Sequence, residues 1–435
     1  MKRGSISRKV IFLALFIIAG SAGYSQRYLS GYDSALFVRD TVRPVIKRLE
    51  NLYLTGYIQP QYQVAEKKGA ESYEGGDFEE HSDNRFMLRR ARVRIDYRMP
   101  GKAGDFPAAL FTFQFEATER DVNVRDMFVR VFEPRKNNFS VSLGLFSRPY
   151  GFEVNLSSSF RETPERGRMS QILMPSERDL GGMLSYEMQK TGKKNIPLKF
   201  DIGLFNGQGK SGPREFDSYK DLISRLTLKQ VKVSDVFSMS GGLSYLNGGW
   251  YQPTQYRYEI DPNGAAKEFR IDSNMANTGS KAPRKYHGAD LQLIFNHSWG
   301  KTEARAEYWN GKQPGTASTT SNPGTLPNGP TYIRKFDGAF IYFLQNIINE
   351  NWEFVGKYDW YDPNREVEGK DIGLTNLTAA DIKYATLGLG LTRYFTSNLK
   401  VLAYFALVKN EKTSLAGYTE DLPDNVFTLR MQLRF

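Results

Sequence analysis

The sequence predicts an all-β protein, a transmembrane antiparallel β-barrel of sixteen strands with short periplasmic turns and long external loops. Three observations support this prediction. The last strand alternates strictly and ends on an aromatic residue, long and short connections succeed one another, and the amino terminus is typical of an exported protein. Each strand of such a barrel has one apolar and one polar face.

The carboxy-terminal strand, predicted over residues 425–435, gives the clearest alternation. Its apolar set comprises Phe427, Leu429, Met431, Leu433 and Phe435, and its polar set comprises Thr428, Arg430, Gln432 and Arg434. A period of two places these sets on opposite faces of a sheet. In a soluble protein a second layer would cover the apolar face, whereas in a barrel that face meets lipid and the other lines a wet lumen. An aromatic last residue resembles the terminal signal of bacterial outer-membrane proteins, so we expect Phe435 to close the barrel.

Sixteen runs of the chain have this alternating character. They cover residues 52–64, 85–99, 110–118, 124–133, 138–146, 181–188, 198–205, 221–231, 237–246, 287–298, 301–309, 336–344, 352–361, 384–394, 399–408 and 425–435. Four tryptophans fall close to the ends of such runs, as interfacial aromatic girdles or ordinary packing residues would. These are Trp299, Trp309, Trp352 and Trp360.

The connections between these runs alternate in length. The long ones are 65–84, 147–180, 206–220, 247–286, 310–335, 362–383 and 409–424, and the short ones include 134–137, 232–236, 299–300 and 396–398. Such a rhythm is expected when one rim of a barrel faces outside and the other faces the periplasm, whereas a β-sandwich gives no reason for it. The link 119–123 is an exception, because it is short where the scheme requires a long loop.

The amino terminus predicts export. Four basic residues among the first nine precede an apolar run over residues 10–19 and then small residues, the pattern of a signal peptide over residues 1–25. The apolar run is too short to span a bilayer as a helix. Residues 26–51 form a periplasmic segment, in which Thr41 could cap a short helix, and the barrel occupies residues 52–435.

Composition narrows the possible functions. The net charge is +11, of which four charges lie in the signal peptide. The arginines alternate with apolar residues inside strands, which puts them on the polar side of a wall. Nucleic acid requires instead an exposed basic face with aromatic stacking residues, so small anions are the favoured partners. No catalytic or cofactor-binding pattern is present, and His81 in an acidic loop lacks the convergent ligands of a metal site. We therefore expect no enzyme activity and no cofactor.

Two sets of arginines are candidate functional residues. The first lines the predicted lumen and comprises Arg90, Arg92, Arg94, Arg130 and Arg225; the second lies in the long connection 147–180 and comprises Arg148, Arg161, Arg166, Arg168 and Arg178. Consecutive inward arginines repel one another unless anions or carboxylates intervene, and a guanidinium suits oxyanions at any physiological pH. The first set could instead serve only to keep the inner wall of the barrel hydrated, as any polar residue would. The second could pair with acids of the same loop and fix its shape.

Part of the chain resembles the phosphate-selective porin family, the porin O and P type. The residues that carry the resemblance are 89–93 (RRARV), Asp126, 144–153 (GLFSRPYGFE), 175–181 (PSERDLG), 205–207 (FNG) and the terminal Phe435. The resemblance implies a sixteen-stranded barrel in the bacterial outer membrane, a homotrimer, and a channel that prefers anions, with phosphate among them. In the best-known members of that family, stacked basic side chains lead to a constriction. Not every one of those positions can be assigned to a residue of this sequence.

Two functions remain open from the sequence. The first is a passive channel for small hydrophilic solutes, preferring anions, with its lumen narrowed by residues 147–180. The second is an exported binding or adhesion protein, either a barrel whose long loops bind a partner or a soluble β-sandwich. Acidic residues predicted on the lumenal face could also build a transverse field across the pore. These are Glu116, Asp126, Glu303 and Glu307.

Overall fold

The strands of the protein follow the alternation of apolar and polar residues. The computed structural model describes residues 50–101, 106–188, 197–210, 212, 214–261 and 267–435. The predicted signal peptide, residues 1–25, and residues 26–49 of the predicted periplasmic segment lie outside the described residues. Within the described ranges, no helix is sufficiently long and apolar to cross a membrane.

Eighteen strands form one sheet in these ranges. They are β1 (Leu52–Ala65), β2 (Asn84–Pro100), β3 (Pro107–Ala117), β4 (Val122–Phe132), β5 (Phe139–Ser147), β6 (Arg178–Glu187), β7 (Leu198–Phe205), β8 (Asp221–Lys232), β9 (Phe237–Tyr251), β10 (Arg257–Ile260), β11 (Phe269–Asp272), β12 (Lys281–His297), β13 (Gly300–Gly315), β14 (Thr331–Asn346), β15 (Trp352–Asp362), β16 (Tyr384–Tyr394), β17 (Leu399–Asn410) and β18 (Val426–Arg434). A short helix, α1 (Arg168–Leu173), and 3-10 turns at Met275–Asn277, Gly369–Asp371 and Ala379–Asp381 complete the elements.

Sixteen of these strands close into an antiparallel barrel. Each pairs with its neighbour in the chain, β9 pairs with β12, and β18 pairs with β1 to complete the circle. The short strands β10 and β11 form a hairpin above the barrel, with β10 parallel to the start of β14. Closure leaves no free edge, as a membrane barrel requires. The predicted sixteen-stranded barrel is confirmed, and the soluble β-sandwich is excluded.

The outer face of the barrel is apolar. Leu143, Leu204 and Leu243 expose more than half of their side chains on this face, while the alternate residues of the same strands point inward. On β18, Thr428, Arg430 and Gln432 are buried in the interior, whereas Met431, Leu433 and Phe435 face outward. Exposed leucine and phenylalanine are stable in such numbers only against lipid.

Loop lengths distinguish the two rims as predicted. The long-loop rim carries connections such as 148–177, 252–280 and 363–383, and the short-turn rim carries 233–236, 298–299 and 395–398. The link between β3 and β4 is four residues long, 118–121, and lies at the long-loop rim. The wall of the barrel is therefore lowest beside β3 and β4.

Four strands extend beyond their predicted ends at the long-loop rim. Strands β9, β12, β13 and β14 continue by several residues, and Lys281 still pairs with Tyr251 there. Backbone pairing sustains these extensions where the alternation of side chains has faded, so the pattern predicted shorter strands. The β10–β11 hairpin was missed for a related reason, because four-residue strands are too short to show a period.

The chain terminus closes the barrel through the last residue. The backbone N–H of Phe435 donates to the Gly56 carbonyl at 3.0 Å, and the Phe435 carbonyl accepts from the Gly56 N–H at 3.1 Å. The Phe435 ring lies directly over Gly56, where a methyl group would collide with it and with the Arg92 carbonyl oxygen. A residue without a side chain at position 56 is therefore part of the seam between β1 and β18.

Replacing Gly56 by alanine should weaken this seam. The added methyl has no free space, and overpacking of this kind costs about 1–3 kcal/mol. The expected result is a lower temperature for loss of the compact, fast-migrating form in SDS gels. Gly329→Ala is the matched control, because nothing lies within 4 Å of a methyl at that position. Equal melting temperatures for Gly56→Ala and Gly329→Ala would contradict this role of Gly56 in the seam.

Candidate functional site

The connection between β5 and β6, residues 148–177, folds into the barrel and is called the inner loop here. Most of its residues are buried, and it carries α1. The sequence predicted this loop over 147–180. The structure shortens it because Ser147 pairs with Arg178 across the two strands. Arg178 was thus wrongly assigned to the loop, and it is the first residue of β6.

The inner loop fills part of the lumen with an apolar cluster. Tyr150, Val154, Met169, Leu173 and Met174 of the loop pack against wall residues that point inward. Those wall residues are Phe128, Phe146, Met183, Phe205, Ile223, Leu246, Tyr286, Trp309, Phe336 and Tyr361. The expectation that the polar faces of the strands line a wet lumen is therefore wrong for this side of the barrel. Trp309 is fully buried in the cluster and does not belong to an interfacial girdle.

Backbone amides at the start of the inner loop are held by one wall carboxylate. Glu307 on β13 accepts hydrogen bonds from the backbone N–H groups of Phe152, at 3.0 Å, and Glu153, at 2.9 Å. The indole N–H of Trp309 donates to the same carboxylate at 2.6 Å. Glu307 faces the lumen as predicted, and its observed partners are loop amides.

A second anchor joins the middle of the loop to β14 and β15. Glu153 accepts from the Gly167 N–H at 2.9 Å, the Ser170 hydroxyl at 2.8 Å and the Tyr342 hydroxyl at 2.8 Å. Lys357 approaches the same carboxylate at 3.4 Å. Glu162 pairs with Arg305 on β13 at 2.7 Å. These contacts fix the loop against β13, β14 and β15.

Glu165 anchors the loop to the arginine-rich wall formed by β2 and β18. Its carboxylate lies 2.8 Å from Arg89, 2.5 Å from Arg90 and 3.1 Å from Arg430. Burial alone would raise the pKa of Glu165, but the charges of these three arginines hold it well below its usual range. The carboxylate is therefore ionised at neutral pH.

The other lumenal arginines on β2, Arg92 and Arg94, also have carboxylate partners. Arg92 pairs with Glu116, and Arg94 lies 2.7 Å from Asp96. A neighbouring cluster joins Glu177 to Arg125, Arg166 and Arg178, with Arg178 also 3.0 Å from Asp126. Carboxylates thus separate the like charges. The sequence left open whether anions or carboxylates separate these arginines, and the structure has carboxylates there.

The arginines predicted on the inner loop mainly contact the loop itself. Arg148 donates to the Ser176 carbonyl, and Arg161 donates to the Leu156 carbonyl at 3.3 Å. Arg166 donates to the carbonyls of Ser170 and Met174 at 2.9 and 3.1 Å. The guanidinium of Arg168 stacks on the ring of Tyr384 with a centroid distance of 3.6 Å. These contacts favour the alternative in which the loop arginines fix its shape.

Two cavities lie between the inner loop and the short-turn rim. The first, called the basic bay, has a volume of about 480 Å³ and five cations and two carboxylates in its lining. These charged residues are Arg94, Arg130, Arg178, Lys199, Arg225, Asp126 and Asp201. The second, the mixed bay, has a volume of about 530 Å³ and three charges of each sign. They are Lys301, Lys400, Arg434, Glu162, Glu350 and Glu353.

The basic bay contains the remaining two arginines of the predicted lumenal set. Arg225 pairs with Asp290 at 2.6 Å and donates to the Ser244 hydroxyl at 2.8 Å. Arg130 donates to the Ser142 hydroxyl at 2.8 Å. Within the described part of the chain, Arg130 has no carboxylate within 4.0 Å. Its charge is therefore the least neutralised of the predicted lumenal arginines.

Glu74, on the loop 66–83, is a buried carboxylate above the inner loop. Its side-chain atom Oε2 has no hydrogen-bond partner among the described residues. Burial raises the pKa of Glu74 to about 7, and Lys357 only partly offsets this effect. A carboxyl group whose pKa is raised on folding stabilises the fold below its unfolded pKa, and this stabilisation is lost as pH rises through about 7.

We expect the protein to be less stable at about pH 8.5 than at about pH 5.5, with Glu74 contributing about 2 kcal/mol of the difference. Urea unfolding in detergent at both pH values, followed by gel mobility, measures it. Glu74→Gln should remove this contribution and reduce the pH dependence, whereas Glu79→Gln, on an exposed part of the same loop, should retain all of it. An unchanged pH dependence in Glu74→Gln would rule out this assignment.

Comparison with known proteins gives likenesses of structure. No protein-family model matches the sequence, and no curated protein matches it significantly. DcaP, an outer-membrane channel of Acinetobacter baumannii, matches with a TM-score of 0.52 at 13% identity, over 88% of this chain and 97% of that chain. An anion-selective porin from Comamonas acidovorans matches with a TM-score of 0.50 at 12% identity, over 88% of this chain and 98% of that chain. These likenesses, together with the closed barrel and its apolar outer face, show a transmembrane β-barrel of the porin fold.

Proposed function

We propose that this protein is a passive outer-membrane channel that admits small hydrophilic solutes and prefers anions. The observation that carries the proposal is the basic bay, in which five cations face two carboxylates and Arg130 has no acidic partner within the described residues. The other four cations each pair with a carboxylate, Asp96, Asp126, Asp201 or Asp290, so the uncompensated charge of the bay is that of Arg130. A positive charge in a cavity with low-dielectric walls concentrates anions and repels cations. The mixed bay, with equal numbers of each charge, supplies no such preference.

Within this proposal, phosphate is one of the anions that pass. The support is the sequence resemblance to phosphate-selective porins together with the guanidinium groups of the basic bay, whose planar fork matches phosphate oxygens. The same resemblance supports a homotrimer. Mass measurement on the native protein in detergent tests the trimer independently of the channel.

Conductance in a planar bilayer tests the proposed function. Purified protein should insert as discrete conductance steps, and a potassium chloride gradient should give a reversal potential of the sign that anion selectivity requires. Replacement of chloride by phosphate should preserve that sign. Absence of steps would refute the channel, and a reversal potential of the opposite sign would refute the anion preference.

A further inference from the structure

Five external loops meet around a cavity at the long-loop rim, called the outer cavity here. Its volume is about 210 Å³, below the ~300–1,000 Å³ of pockets for larger organic ligands. The polar lining includes Glu71, Arg168, residues 318–321 and Asp424. The basic and mixed bays lie on the other side of the inner loop, and neither of them shares a lining residue with it. The outer cavity therefore has a chemistry of its own.

Aromatic rings make up much of the cavity wall. Tyr73, Tyr361, Tyr384 and Tyr418 come from four different parts of the chain and all line it. The guanidinium of Arg168 lies 3.6 Å from the ring centroid of Tyr384 and 4.5 Å from that of Tyr73. Arg168 is thereby held in place by two tyrosines.

The cavity contains a buried donor and a buried acceptor without partners. Arg168 and Asp424 are both more than nine-tenths buried, and the nearest approach of their charged groups is 3.9 Å. Arg168 Nε and Asp424 Oδ1 make no hydrogen bond among the described residues. A buried polar group without a hydrogen-bond partner destabilises the structure around it. A solute that offers one acceptor and one donor side by side would satisfy both.

The charges of the cavity limit the chemistry of that solute. Glu71 and Asp424 oppose one cation, Arg168, so a small anion gains little there. An organic cation would find the faces of Tyr384 and Tyr73 already occupied by Arg168. A hydroxyl group both donates and accepts, so two adjacent hydroxyls can serve the carboxylate and the guanidinium together. The hydroxyls of residues 318–321 and the tyrosine rings suit the rest of a sugar ring.

We propose that the outer cavity binds a neutral sugar ring, with a vicinal diol bridging Arg168 and Asp424 and the C–H face of the ring against Tyr418. This binding is separate from the proposed anion preference, which rests on the basic bay. It would give the external mouth a selectivity for neutral carbohydrate.

Calorimetric titration of the full barrel tests the proposal without requiring conduction. The protein is folded in an amine-oxide detergent, since glycoside detergents would compete, and is titrated with glucose, galactose, mannose and maltose. At least one sugar should give saturable heat. Asp424→Ala and Tyr418→Ala should each weaken its binding by about tenfold or more, and Glu420→Gln, an exposed acid on the same loop, should bind as the wild type does.

The outcomes separate this proposal from the channel. Absence of saturable heat for every sugar would overturn it, even in a protein that conducts. Inorganic phosphate that binds and is displaced by no sugar, with tighter binding in Asp424→Ala, would show an anion site instead and also overturn it. Sugar binding in a protein that gives no conductance steps would refute only the channel. Retention of the compact form in SDS gels shows that each variant is folded.

Discussion

Replacing Glu165 by glutamine should loosen the inner loop and raise both the conductance of the channel and its current noise. Glu165 is the carboxylate nearest to Arg90 and Arg430, and within the described residues neither arginine has another within 4.0 Å. Removing one member of a buried ion pair typically costs about 3–5 kcal/mol, because the remaining charge is left without compensation. Here two buried guanidinium groups lose their partner at once.

The expected response is local because the barrel wall has its own hydrogen-bonded ladder. The two neighbours of β1, β18 and β2, keep their backbone pairing to it. The compact form should therefore persist in SDS gels at room temperature. The loop should move toward its remaining anchors at Glu153 and Glu307. Single-channel recording should then show a larger mean conductance and more frequent fluctuation than in the wild type.

Glu80→Gln is the control for Glu165→Gln. It removes the same charge from an exposed position on the loop 66–83, so it should leave both conductance and noise unchanged. A Glu165→Gln channel with wild-type conductance and noise would contradict the assigned role of Glu165. The double variant Glu165→Gln, Arg90→Gln should recover part of the lost stability, because one uncompensated charge is removed with its partner.

Much of the barrel could be predicted from the sequence, because one physical rule governs it. A period of two separates lipid-facing from lumenal side chains, so the same alternation gives the strands and the inward direction of Arg90, Arg92 and Arg430. That rule also places Trp309 on the inward face, two residues after Glu307. A consistent use of the period would have excluded Trp309 from an aromatic girdle.

The inner loop could not be predicted in the same way. Its partners lie far away in the sequence: Glu165 meets Arg90 across 75 positions and Arg430 across 265. No local pattern determines which wall a loop of thirty residues contacts. The apolar residues Met169, Leu173 and Met174 did carry a signal, since their spacing suits one face of a short helix. In a loop expected to be solvated, an apolar helix face of this kind indicates that these three side chains are buried.

Replacing Arg130 by alanine should lower the anion preference more than replacing Arg92 by alanine. Arg92 is buried and pairs with Glu116, so its charge is largely compensated before any solute approaches. Arg130 faces the basic bay and, in the part of the chain described, has no carboxylate within 4.0 Å. Removing its charge leaves only cations that pair with carboxylates.

Arg130→Ala should change the ratio of chloride to potassium permeability on the order of threefold. One charge a few ångströms from a solvated path changes the free energy of a passing ion by about 1 kcal/mol or less. Arg130→Glu should give a larger change, and Arg130→Lys should retain most of the preference. Reversal potentials under a potassium chloride gradient measure all three. Arg120→Ala is the control, because its side chain is exposed on the link between β3 and β4, outside both bays.

The comparison with Arg92→Ala decides which arginines act on the permeating ion. If anions pass along Arg90, Arg92 and Arg94 on β2, Arg92→Ala should produce the greater change in reversal potential, despite the pairing with Glu116. If they pass through the basic bay, the change produced by Arg130→Ala should be greater, and it should shrink at high salt as the exposed charge is screened. Equal reversal potentials in wild type and Arg130→Ala at low salt would exclude the basic bay from the permeation path.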